Sequence, residues 1–234
     1  MKQLTVIQHT SADYLGLIED HLEGRRIRFH YHRPFTEAGK VPPFEQIGDG
    51  LILLGGGPWG SAGERDVPTL ADEIALARNA FMHGLPIIGI GLGAQIIALA
   101  CDGSVEAGPL EFTLRTATRC EDDALCGFMP ETYLNPVYMR DRPVPPDYAR
   151  IISRDEAGRA AAFQIGENIF GFTGHPGFKR AMAEDLIMEF EEGPENPGAN
   201  LDALGNAKHA VADALVPIMT GLVMATKLME TKDS

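Results

Sequence analysis

The chain of 234 residues is 44% hydrophobic and 23% charged, a composition that suits one compact globular domain with a C-terminal extension. Its 20 Lys and Arg stand against 33 Asp and Glu, and the formal charge of −13 argues against nucleic acid and anionic membrane surfaces as partners, since both recruit clustered cations. Residues 1–8 are too short and too polar for a signal peptide, and no apolar run approaches the roughly 18 residues of a membrane span, so a cytoplasmic protein without membrane contact is expected.

The first elements alternate. Residues 4–8 form a short apolar run, followed by Ser11 as an N-cap and by Leu15, Ile18 and Leu22 at helical spacing before Gly24, which predicts strand then helix. Residues 27–31 read as a second strand. Residues 51–54 are continuously apolar, as in a strand covered on both faces, and end in Gly55-Gly56-Gly57-Pro58. Thr69 can cap a helix with Leu70, Ile74, Ala77 and Phe81 on one face, ending at Gly84. Residues 86–90 are another buried strand, then comes a glycine turn, and residues 94–100 read as a helix. This order predicts an α/β domain with a parallel, doubly wound sheet, whose active site gathers at the carboxyl ends of the strands.

Beyond residue 104 the pattern becomes β-like, with strands expected at 111–117, 149–153, 160–164 and 169–173 and a surface loop over the Pro-rich stretch 135–146. A helix over 179–191 follows, then a linker rich in Gly, Pro and Asn over 193–206. A final helix carries Val211, Leu215, Ile218, Leu222 and Met229 near one side, a stripe that suits core or dimer packing.

Three glycine-rich turns follow three of the predicted strands: Gly55-Gly56-Gly57-Pro58, Gly89-Ile90-Gly91-Leu92-Gly93-Ala94-Gln95, and Gly174-His175-Pro176-Gly177. In a sheet wound this way they can converge on one crevice. The middle turn has the layout strand, G-x-[nucleophile]-x-G, helix, which holds one side chain on a tight elbow over a helix N-terminus. Backbone N–H groups of Leu92 and of Gly56 or Gly57 are placed to stabilise an oxyanion, and His175 sits where a base is needed.

The three cysteines, Cys101, Cys120 and Cys126, form neither a disulfide framework nor a C-x-x-C knuckle. Cys101 lies ten residues past the elbow, roughly 15 Å along a helix rising about 1.5 Å per residue, and cannot replace the nucleophile. His30 and His32 share a face if their segment is a strand, but no third ligand accompanies them, so no metal is expected.

These motifs together resemble the class I glutamine amidotransferases, whose nucleophile loop reads G-x-C-x-G-x-Q and whose base lies in H-P-E. The resemblance spans roughly residues 4–190. It rests on the Gly-Gly-Pro turn, the Pro86-containing strand, Gln95, the D-x-L-x-x-x-x-P pattern of Asp123, Leu125 and Pro130, and His175-Pro176. It implies a flavodoxin-like, mostly parallel sheet flanked by helices, with a small β extension and C-terminal helices. The family domain would occupy residues 1–192, and residues 193–234 would be a linker and helical extension packing on that domain or on a partner. The resemblance further implies a glutamine or γ-glutamyl pocket lined by Gln95 and the glycine loop, His175 as the base, no cofactor, and a synthetase subunit or a second copy as partner. Tyr138 and Asp141 stand near positions where the family often places pocket-lining residues, and here they read as loop residues.

Two departures separate the chain from the family pattern: the nucleophile position is Gly91 and the acidic triad position is Gly177. Without a thiolate no acyl intermediate forms, and without a carboxylate the imidazole loses the group that orients it. The expectation is a catalytically silent binding or scaffolding member. An active amidotransferase or γ-glutamyl amide hydrolase, by an unusual route or with Gly91 as an inactivating substitution, is one alternative. A dinucleotide-binding oxidoreductase is another, because Gly89-x-Gly91-x-x-Ala94 with Glu106 downstream also satisfies the G-x-G-x-x-A fingerprint.

Overall fold

Strand β1 (Gln3–Ile7) exposes only Gln3 and buries its other four residues, as a strand covered on both faces must. In the computed structural model, which describes residues 1–36 and 39–229, helix α1 (Ile18–Gly24) leads to β2 (Arg28–His32), parallel to β1 on its outer side. β3 (Gly50–Leu53) pairs in parallel with the other edge of β1. Helix α2 (Leu70–Met82) and β4 (Ile87–Ile90) follow, and α3 (Leu92–Ala100) starts two residues after β4 ends. The helix that Ser11 was expected to cap begins only at Ile18. Gly16, with φ of +62°, breaks the chain there, and Ser11 instead donates its hydroxyl to Glu189.

The second half is built from β5 (Ser104–Glu106), β6 (Glu111–Arg119), β7 (Thr132–Met139), β8 (Arg142–Val144), β9 (Arg150–Asp155), β10 (Ala160–Ile165) and β11 (Ile169–Phe172). The stretch 135–146 is therefore not a surface loop: it carries most of β7 and all of β8. Pro136 is tolerated because β7 is the outermost strand of the sheet, where a missing N–H interrupts no ladder beyond it. Helix α4 (Arg180–Glu189) precedes α5 (Pro197–Asn206) and α6 (Lys208–Ala225). The expected linker thus contains a helix, opened by Pro197 in its first turn, where no N–H is needed. α6 stops short of Met229; Lys227 adopts φ of +53° and Met229 is exposed.

The nine-stranded sheet runs β2-β1-β3-β4-β11-β10-β9-β6-β7. Its first five strands are parallel and the remaining pairings antiparallel, while β5 and β8 form a separate ribbon. This is a mostly parallel sheet flanked by helices, the flavodoxin-like arrangement. Alternate residues divide between two cores: Ile52, Ile88 and Ile90 face α1 and α6, whereas Leu51, Leu53 and Ile87 face α2 and α3. Burying each such side chain contributes about 1.5–3 kcal/mol.

α6 is long and apolar enough to cross a membrane by length and composition alone, although Lys208, His209 and Asp213 interrupt it, so it is not the continuous apolar run of a membrane span. Val211, Leu215, Ile218, Met219 and Leu222 on this helix are buried within the domain. Cutting Leu215 back to Ala would cost about 2–5 kcal/mol, the usual figure for a buried leucine.

Candidate active site

Because β3, β4 and β11 are adjacent and parallel, the turns leaving their carboxyl ends meet. Gly91 N–H donates to Phe172 O at 2.8 Å, and Gly93 N–H donates to Leu54 O at 3.1 Å, so the middle turn is tied to both neighbours. A Cβ on Gly56 would press on the Leu92 side chain, which brings the first turn onto the start of α3. The residues 56, 91, 92 and 175 are all buried.

Gly91 has φ of +55° and ψ of −112°, a conformation that side-chain-bearing residues rarely adopt and that an elbow between strand and helix requires. A Cβ placed on it would find Gly55 Cα at 3.5 Å and Tyr138 O at 3.9 Å, ordinary contact distances. The elbow therefore keeps both the backbone form and the room for a side chain. Among the described residues, the backbone N–H groups of Gly56, Gly57 and Leu92 have no hydrogen-bond partner within the protein. Unpartnered N–H groups beside a helix N-terminus are the kind of donor that a carbonyl oxygen or an anion accepts from.

Position 177 differs. A Cβ there would stand 3.0 Å from both Ile18 N and Ile18 Cγ1 and 3.1 Å from Leu15 O. Leu17 N–H also donates to Gly177 O at 2.9 Å. The chain entering α1 thus lies against Gly177, and a larger residue would have to displace backbone.

His175 is held by the same contact. Its Nε2 faces Tyr14 O at 2.7 Å, so it carries the proton, and its Nδ1 accepts from Gly177 N–H at 3.1 Å. The ring is neutral, stacked on Phe178, and its pKa is lowered to about 4, chiefly by burial. Neither nitrogen presents a lone pair to the elbow in this arrangement.

Gln95 is fully buried and spends its amide on the protein: Nε2 donates to Arg140 O and Oε1 accepts from Ser61 Oγ, both at 2.6 Å. Asp141, with φ of +57°, accepts from the N–H groups of Ser61, Ala62 and Gly108 at 2.9, 3.1 and 3.0 Å. Arg140 donates from Nε to Pro58 O at 3.0 Å and pairs with Glu64 and Glu192. These residues fasten the loop after the first turn to the end of β7. Tyr138 is not on a loop but in β7, with its hydroxyl buried.

A buried polar group behind the elbow is absent from the motifs read in the sequence. His9 Nε2 pairs with Glu73 at 2.7 Å and its Nδ1 donates to Gly55 O at 3.0 Å. Burial alone would lower the His9 pKa, but the Glu73 charge and hydrogen bond outweigh it and raise it. Asp13 lies beside it, its Oδ2 against Gly55, and burial pushes its pKa up to about 7. A usable signal existed in Glu73, a carboxylate placed among Leu70, Ala77 and Ala80 on the inner side of α2, where a buried partner is needed.

No cysteine reaches the elbow by its position in the fold. Cys101 is buried at the far end of α3 with its thiol pushed up to about 11 by burial, and Cys120 and Cys126 are exposed beyond the end of β6. Among the described residues no group of three His, Cys, Asp or Glu could hold a metal ion. The glycine turn follows the fourth strand rather than the first, unlike a dinucleotide fingerprint.

Comparison with known proteins identifies the family and the fold. The sequence model of the family described as glutamine amidotransferase class-I matches residues 14–189. A protein of Halobacterium salinarum, named as one of the subunits of glutamine-hydrolyzing GMP synthase, is 28% identical over 153 residues, covering 64% of this chain and 77% of that protein. The crystal structure of a glutamine amidotransferase from Thermotoga maritima superposes with a TM-score of 0.79 at 21% identity, covering 97% of this chain and 98% of the other. That of a glutamine amidotransferase from Methylobacillus flagellatus gives 0.80 at 20% identity, covering 96% and 95%.

Proposed function

The chain belongs to the class-I glutamine amidotransferase family, and on that premise we propose that it is a catalytically silent member, binding glutamine or a γ-glutamyl compound without cleaving it. The observation that carries this reading is the contrast between unpartnered backbone donors and absent chemistry. The N–H groups of Gly56, Gly57 and Leu92 have no partner among the described residues and can donate to a carbonyl oxygen, while position 91 offers no sulfur.

Amide hydrolysis by this family's route needs a nucleophile, a base that takes its proton and returns it to the leaving nitrogen, and a group that orients the base. Gly91 supplies no nucleophile. His175 has its lone pair engaged by Gly177 N–H and its proton directed at Tyr14 O. A side chain on residue 177 would start 3.0–3.1 Å from Ile18 and Leu15 O, so residues 15–18 would have to give way to admit a carboxylate there. Binding survives such losses because it needs only the donors and the shape.

The same reading makes the chain a non-catalytic subunit of a synthetase or one half of a homodimer. Its Halobacterium salinarum relative carries the name of a synthase subunit, which supports the first of these. The test is incubation of the purified chain with a glutamine-like chloroketone, followed by peptide mass mapping. No adduct at Cys101, Cys120 or Cys126 is expected; a ligand-protectable adduct on any of them would overturn the reading.

A further inference from the structure

Away from the three turns lies a cavity of about 350 Å³ whose lining shares no residue with them. It is framed by the β5–β8 ribbon, the turn after β8, and strands β9 and β10. One wall is the end of the Pro-rich stretch, with Pro143, Pro145 and Pro146, and the apolar lining continues with Ile151 and Ala160. A proline fixes its own φ, so this wall is stiff and loses little freedom when a ligand settles against it. The volume falls within the range of small-molecule sites, about 300–1,000 Å³.

Three arginines line the cavity from three places in the chain: Arg142 from β8, Arg154 from β9, and Arg159 from the turn before β10. A net charge of −13 makes such a gathering of cations unexpected. The protein's own acids do not neutralise it. Arg142 and Arg115 share the carboxylate of Glu111, at 2.6 and 2.8 Å, and Arg159 and Arg115 share that of Asp155, at 3.1 and 3.6 Å. Arg154 has no carboxylate partner among the described residues and donates to Gly158 O at 2.8 Å. Glu106 and Asp147 also line the cavity, but both are exposed and pair with none of the three arginines. Each guanidinium carries five N–H donors, so most of those on the three arginines are left for water or a ligand.

Guanidinium groups match oxyanions in shape and charge. A carboxylate offers two oxygens and one charge, whereas a phosphate monoester offers three oxygens and about two charges, enough to engage more than one arginine. We propose that this cavity is a second ligand site, for a phosphate monoester whose phosphate is held by Arg142, Arg154 and Arg159 and whose organic body lies against the proline wall. The site goes beyond the reading of the elbow and does not depend on it. Thr173, also on the lining, is the residue from which β11 passes into the Gly174-His175 turn, and its N–H and hydroxyl both donate to Ala161 O. An occupant therefore abuts the strand end that carries His175.

The experiment is titration calorimetry of the full chain with phenyl phosphate, benzoate, inorganic phosphate and benzyl alcohol, for wild type, Arg154→Gln, Val144→Asp and, as a control outside the cavity, Arg28→Gln. Wild type is expected to bind phenyl phosphate at least tenfold more tightly than any of the other three. Arg154→Gln should weaken phenyl phosphate about threefold to tenfold, the effect of one exposed charged donor. Val144→Asp places an acid on a lining residue that is 42% exposed and should weaken it tenfold or more. Both altered side chains are exposed, so these variants should melt with wild type, and Arg28→Gln should bind as wild type does. Phenyl phosphate bound no better than inorganic phosphate, or weakened equally by Arg28→Gln, would mean a general attraction to cations and overturn the site. Benzoate bound as tightly would overturn the phosphate assignment, and no binding of phenyl phosphate would overturn the proposal outright. Glutamine titrated into the same wild-type sample reads the elbow independently.

Discussion

Restoring the sulfur at the elbow separates what that position has lost from what it has kept. In Gly91→Cys the new Cβ meets Gly55 Cα at 3.5 Å and Tyr138 O at 3.9 Å, so overlap contributes no penalty. The cost is conformational: φ of +55° with ψ of −112° is strained for any side-chain-bearing residue, by about 1–3 kcal/mol. For a chain of this size each kcal/mol lowers Tm by about 2–4 °C, so a loss of about 2–12 °C in a thermal melt is predicted. The thiol would sit at the N-terminus of α3, which favours its thiolate, and should react with iodoacetamide faster than Cys101, whose thiol burial holds at about 11. Ammonia release from glutamine should nevertheless stay at background, because His175 directs its proton at Tyr14 O and its lone pair at Gly177 N–H. A coupled ammonia assay showing turnover typical of working family members would refute this reasoning, and so would a variant that fails to fold.

Gly177→Glu should be destabilised by about 1–3 kcal/mol in urea unfolding, as overpacked sites are, since residues 15–18 must move; wild-type stability in that variant would mean that the contact yields freely. Gln95→Leu strands Ser61 Oγ and Arg140 O and should cost about 2–6 kcal/mol at about 1–3 for each stranded group, with a loss below about 0.5 kcal/mol arguing that neither bond matters. The pH dependence of stability has two opposing parts. His175, with a folded pKa of about 4 against 6.5, contributes stability that is complete above pH 6.5 and lost as pH falls toward 4, about 3 kcal/mol in all. Asp13, raised from 3.8 to about 7, does the reverse: its contribution is complete below 3.8 and is lost as pH rises toward 7. Asp13→Asn should therefore gain stability relative to wild type by about 4 kcal/mol between pH 4 and 7, and parallel profiles for the two proteins would contradict the assignment.

How legible the molecule is from its sequence depends on the range of the interaction. The three turns could be read because each pairs a local cue, glycines or His-Pro, with an apolar strand just before it, and parallel winding then brings the strand ends together. The stretch 135–146 misled because its prolines usually mark loops; only the position of β7 at the sheet edge makes Pro136 acceptable, and edges are set by the whole fold. α5 was hidden by Pro197 and the surrounding glycines for a similar reason. Asp13, Tyr138 and the His9–Glu73 pair depend on contacts between residues far apart in the chain. Nothing local shows that residues 15–18 fill the space beside Gly177. The sequence shows a glycine at position 177, and the fold adds that a side chain there would press on residues 15–18.

Whether the elbow receives an amide and leaves it whole is tested most directly by nitrogen NMR of side-chain-labelled glutamine in the presence of the purified chain. The carboxamide resonance is expected to broaden or shift on addition of protein and to persist, with no ammonium signal growing in. A steadily rising ammonium signal dependent on the protein would contradict a silent, amide-binding elbow.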